Sequence, residues 1–172
     1  MKDKYVFLDV ESDGLYGNFL TAALIVVDNE GNEISRAYYG ICKEHMHVTD
    51  PWVIEHVLPI IGDYEECENE KQLLQKTWDF WLQYQETAYM ICDVAYPVEC
   101  RFLRACVALN QSEYMCKAPF PLIDLSSLLM AKGYDPLYER KHFASKYKEE
   151  CVHNALYDVE VAIEVWKKIS KN

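Results

Sequence analysis

Three stretches of this sequence set acids beside groups that could do chemistry. Asp9 and Glu11 lie two apart in the run YVFLDVES. Side chains alternate along a strand, so Tyr5, Phe7, Asp9 and Glu11 point one way and Val6, Leu8 and Val10 the other. A run apolar on both faces belongs in the middle of a sheet, and two unneutralised carboxylates at its end would repel and resist desolvation. Either the strand has ended and both acids are solvated turn residues, or they share a divalent cation, since hard metals take several carboxylate oxygens. The second stretch is HNALYD, with His153 and Asp158 five apart. Inside one helix they would diverge by about 140°, so they can meet only if His153 lies in the loop before the helix and folds back. Read alone, His153 is a flanking residue and Asp158 an acid favoured by the positive helix end. The third stretch, ICDVAYPVECRFL, carries Asp93 at a strand end and Glu99 ahead of Phe102, Leu103 and Cys106 on the inward stripe of a helix. A capping-box role for Glu99 would need Ser or Thr where Tyr96 stands. Asp93 also reads as a plain turn residue.

Together these acids sit at the ends of a first strand, a later strand–helix junction and a final helix. That placement suits two-metal phosphodiester chemistry, in which two cations about 3.5–4 Å apart clamp the attacking and leaving oxygens.

The elements that must position them follow from pattern. β-forming runs at 5–11, 20–28 and 33–41 are separated by short turns, the second being Asn29-Glu30-Gly31-Asn32, a hairpin signal. They predict an antiparallel meander. Asp50-Pro51 opens a short helix through 57, and helical spacing of apolar residues marks 71–84, 97–109 and 154–170. Short strands are expected at 88–93 and 121–125, with a helix over 126–132 stopped by Gly133. The order predicts an α/β sandwich with a mixed sheet.

Composition narrows the classes. The chain has 172 residues, 51% hydrophobic, and a formal net charge of −11. It can bury a core, which excludes global disorder, and the expectation is a single domain over 1–172. So acidic a protein does not hold polyanions by a basic surface, so any nucleic acid must be bound locally or through cations. The seven cysteines form no C-x-x-C pair and read as free thiols of a reducing compartment. With no signal peptide and no bilayer-length apolar run, a cytoplasmic location away from membranes is expected.

The order of motifs resembles the DnaQ-like, or DEDDh, family of 3′-to-5′ exonucleases. FLDVESDGL is similar to that family's first motif, and HNALYDVEVA to its third. The resemblance implies a ribonuclease H-like fold, a five-stranded mixed sheet whose first three strands are antiparallel, flanked by helices. It implies that Asp9, Glu11 and Asp158 are metal ligands and His153 the general base. It also implies two divalent cations, Mg²⁺ or Mn²⁺, as cofactors. The middle motif departs: the family's Asp is replaced by Glu99 ahead of Phe102-Leu103, and the nearest Asp, Asp93, lies six residues earlier. Glu99 keeps the spacing and the face, with Asp93 as the alternative ligand.

The implied activity is metal-dependent 3′-to-5′ hydrolysis of single-stranded nucleic acid or a short oligonucleotide, RNA or DNA, to nucleoside 5′-monophosphates. Leu15, Tyr16 and Phe19 are candidates for stacking a terminal base, or are loop residues packed on the core. A homodimer is possible. The competing reading is a nuclease-fold module that binds nucleic acid or protein without cleaving, the altered middle motif being where such loss would begin. A two-carboxylate glycoside hydrolase explains neither His153 nor the number of acids.

Overall fold

The computed structural model describes residues 2–137, 139–145 and 147–170. Three long strands, β1 (Lys4–Ser12), β2 (Phe19–Asp28) and β3 (Glu33–Ile41), form the expected antiparallel meander. The helix α1 (Pro51–His56) follows, its N-terminus capped by Asp50, whose side chain accepts from the Trp52 amide. Next come β4 (Glu65–Cys67), α2 (Glu70–Leu82) and β5 (Ala88–Cys92). The remaining elements are α3 (Val98–Ala108), the single turn α4 (Gln111–Tyr114), β6 (Leu122–Asp124), α5 (Leu125–Ala131) and α6 (Ala155–Ser170).

The sheet has six strands in the order β4-β3-β2-β1-β5-β6, one more than the five expected. The addition is β4, three residues laid parallel to the end of β3. Nothing in Glu65-Glu66-Cys67 alternates strongly enough to announce a strand; it is made by its neighbour. β1 stands inside the sheet, antiparallel to β2 and parallel to β5, and β6 extends the parallel side.

Both faces are covered, as the two-sided apolar character of β1 demands. Val6, Leu8 and Val10 pack with Leu73 and Trp78 of α2 and Phe102 and Cys106 of α3. Phe7 faces the other way, toward Leu125 of α5 and Val159 and Trp166 of α6. Fully burying side chains of this size contributes about 1.5–3 kcal/mol each. No helix among the described residues is long and apolar enough to cross a membrane.

Candidate active site

β1, β5 and β6 run parallel, so their C-terminal ends share one edge of the sheet, where β1 also meets the antiparallel β2. Strand order reverses there, and a crevice opens of the kind that receives ligands in open α/β sheets. Asp9 and Glu11 emerge at this edge on the face covered by α6. Opposite them β2 presents Ala23 and Thr21, both small and fully buried.

The third motif closes onto the first. His153 has φ +75°, a left-handed conformation that a residue with a Cβ adopts only when its surroundings impose it. In that conformation its backbone N–H donates to Asp158 Oδ2 at 2.8 Å. Asn154 caps α6, its side-chain oxygen accepting from the Tyr157 amide at 3.1 Å. The backbone thus fixes the His153–Asp158 pair as loop-before-helix geometry requires. Ligand atoms of Glu11, His153 and Asp158 lie within 4.8 Å of one another, a group that could hold a metal ion.

Glu99 comes to the same place from α3. It is 5% exposed, and its Oε1 accepts from the amide of Val10, the residue between Asp9 and Glu11, at 3.3 Å. Asp93 has a different engagement. Arg140 holds it bidentately, Nε to Oδ2 at 2.7 Å and Nη2 to Oδ1 at 2.5 Å, and the same guanidinium donates to Ser126 Oγ at 2.7 Å and to the Pro136 carbonyl. A cavity of about 430 Å³ joins Asp9, Asp93, His153 and Asp158 to a far wall that includes Arg140 and Tyr147.

The electrostatics show an uncompensated cluster. Burial, then repulsion by Glu11, Asp158, Glu99 and Asp93, lifts the Asp9 carboxyl well above its usual range. Burial pushes Glu11 up to about 8, with Asp158 and Glu99 adding to it. Burial likewise puts Glu99 at about 8, against the lowering effect of backbone donors that include Val10. Asp158 rises to about 7 through burial, although the His153 N–H pulls it down. Four acids that resist ionisation side by side are what bound cations would relieve. The His153 imidazole is held below its ordinary value by burial and then by nearby His56.

The three residues suggested for base stacking are separated. Leu15 and Tyr16 stand 59% and 68% exposed on the loop after β1, whereas Phe19 is 5% exposed and edge-packed on Phe102. Phe19 is therefore a core residue, because it opens β2 on the face toward α3. Arg101 of α3 fixes the loop, donating to the carbonyls of Leu15 and Gly17 at 2.6 Å each. Tyr96, exposed beside them, hydrogen-bonds Tyr16. Two participants escaped the sequence reading. Arg140 meets Asp93 across 47 residues, and Trp52 meets His153 from α1; no local pattern announces either contact.

Solved structures share this arrangement of elements. E. coli exonuclease I in its zinc-ion-bound complex with single-stranded DNA superposes with a TM-score of 0.71 at 15% identity, over 99% of this chain and 41% of that one. The same enzyme with a dA16 oligonucleotide gives 0.68 at 14% identity, again over 99% and 41%. The chain shares a ribonuclease H-like fold with them. An apo exonuclease I structure agrees at 0.64 and 13% identity, over 100% of this chain and 43% of that one. The chain therefore spans about two fifths of the length of these proteins. No protein-family model and no curated protein sequence matches it.

Proposed function

We propose that this chain is one nuclease unit that removes nucleoside 5′-monophosphates from the 3′ end of single-stranded nucleic acid or short oligonucleotides. The observation that carries the reading is the convergence of Asp9, Glu11, Glu99 and Asp158 with His153 at the C-terminal edge of β1, in a fold shared with exonuclease I. Exonuclease I is known in complexes with single-stranded DNA, which supports a single-stranded substrate here.

Asp9, Glu11, Glu99 and Asp158 would hold two divalent cations, Mg²⁺ or Mn²⁺. Such ions supply positive charge over the phosphate oxygens and a lowered pKa for the attacking water. Glu99 takes the middle-motif role rather than Asp93, because both oxygens of Asp93 are engaged by Arg140. His153, its imidazole neutral near pH 7, takes the proton from the water. The water oxygen bonds to the terminal phosphorus in line with the departing 3′ oxygen, that P–O bond breaks, and the 3′ oxygen gains a proton. Leu15, with Tyr16 and Tyr96, offers the terminal base an exposed stacking surface.

The test is an assay of the purified protein on 3′-labelled single-stranded RNA and DNA, with Mg²⁺, Mn²⁺ or EDTA. Label should leave as mononucleotide with cation and stay in the polymer with EDTA. Tight binding without cleavage in any cation would instead make the chain a non-cleaving module.

A further inference from the structure

A general base needs an orienting partner, and in nucleophile–base pairs that partner is normally a hydrogen-bonded third group. Among the described residues the His153 imidazole makes no such bond; the hydrogen bond of this residue is through its backbone, to Asp158. What the ring does meet is Trp52, edge to face, with centroids 4.8 Å apart and planes at 82°. Trp52 is itself backed by His56, stacked on it at 4.8 Å and 14°, whose Nδ1 donates to the Trp52 carbonyl at 2.9 Å.

α1, which carries both rings, is short, and six residues do not hold a helix in place by themselves. The turn after β1 ties it down. Asp13 accepts from the Thr49 amide, the Thr49 hydroxyl and the Asp50 amide at 2.8–3.1 Å. Gly14, at φ +65°, lies so close that an added Cβ would come within 2.7 Å of the Asp50 carboxylate. The turn that ends the acid-bearing strand is thus bolted to the helix whose tryptophan touches the base.

We propose that Trp52 is a positioning residue for His153, and that the Asp13 turn and α1 form a strut coupling the imidazole to the strand that carries Asp9 and Glu11. The role rests on His153 acting as base in the hydrolysis proposed above. A wall of ring edge and face constrains the imidazole without taking a hydrogen bond from either of its nitrogens. A hydrogen-bonding orienter would occupy one of them.

The experiment compares wild type, Trp52→Phe, Trp52→Ala and Asp13→Ala. Turnover is followed on the p-nitrophenyl ester of thymidine 5′-monophosphate with Mn²⁺, and order of the His153 ring by NMR relaxation of its labelled imidazole. Trp52→Ala should lower kcat roughly ten- to hundredfold, the scale of a small misplacement of a reacting group, with KM and Mn²⁺ affinity unchanged. Trp52→Phe should restore most of it. In Trp52→Ala the ring should become mobile; in Asp13→Ala it should also lose its ring-current shift, although the tryptophan remains. Trp52 is 49% exposed, so its removal opens no core cavity, and Asp13→Ala provides a second route if Trp52→Ala does not fold. A rise in KM with kcat intact would make Trp52 a substrate contact and overturn the proposal, as would a His153 ring equally ordered in every variant. If wild type fails to turn over, the hydrolytic reading falls, and the relaxation data still decide whether Trp52 orders the ring.

Discussion

Asp9 is the residue most surrounded by like charge, so its removal separates function from stability. Asp9→Ala should abolish cleavage and weaken cation binding, yet the cation-free variant should melt no lower than wild type, because one repelling group has gone. Calorimetric titration with Mn²⁺ and a thermal melt in EDTA check both halves. His153→Ala should lower turnover by about 10²–10⁴-fold and leave cation affinity nearly intact, since a base moves protons without being needed to hold the ion; calorimetry showing affinity lost with the imidazole would make it a ligand. Glu99→Gln keeps shape but deletes charge where the acid touches the backbone of β1, so cleavage should fall sharply, whereas Asp93→Asn should cost much less. A dead Asp93→Asn beside a normal Glu99→Gln would exchange the two roles. These acids were legible in the sequence because alternation on a strand and the helical stripe through Phe102 and Leu103 are local rules. Phe19 was not, because whether an aromatic beside a turn faces solvent or core depends on Arg101 and Phe102 across the chain.

Elements whose period is strong in the sequence stand where pattern put them. β1 to β3 keep their turns, and α6 starts at Ala155, with His153 outside it. β4 was invisible because its pairing with β3, not its composition, makes it a strand. Sequence pattern assigns no element between α5 and α6, and there Arg140 finds Asp93. That ion pair, with 16% and 19% of its side chains exposed, joins the segment before α6 to the junction of β5 and α3. Arg140→Ala would strand Asp93 near Asp9, Glu99 and Asp158. We expect a loss of about 2 kcal/mol, below the 3–5 kcal/mol typical when one partner of a fully buried pair is removed. Adding Asp93→Asn should recover part of it, and urea melts of the two single variants and the double variant read the coupling.

At the scale of the molecule, the acid cluster links stability to pH and to cations. Glu11 and Glu99 titrate near 4.5 in the unfolded chain but at about 8 when folded. Between those values the folded form binds more protons, so the cation-free protein loses stability as pH rises from about 4.5 to about 8. Bound cations oppose this, adding about 2.7 kcal/mol at a hundredfold excess over Kd. The gap between melting temperatures with Mn²⁺ and with EDTA should therefore widen as pH rises; a constant gap would disconnect the cluster from cation binding. The net charge of −11 fits the same picture, since so acidic a protein meets a polyanion locally or through cations. The most direct test is hydrolysis of a single-stranded oligonucleotide in water enriched in heavy oxygen, followed by mass spectrometry of the products. The account predicts nucleoside 5′-monophosphates carrying one heavy oxygen on phosphorus, formed with Mg²⁺ or Mn²⁺ and absent with EDTA. Intact substrate under every cation, products bearing 3′-phosphates, or cleavage undiminished by EDTA would contradict it.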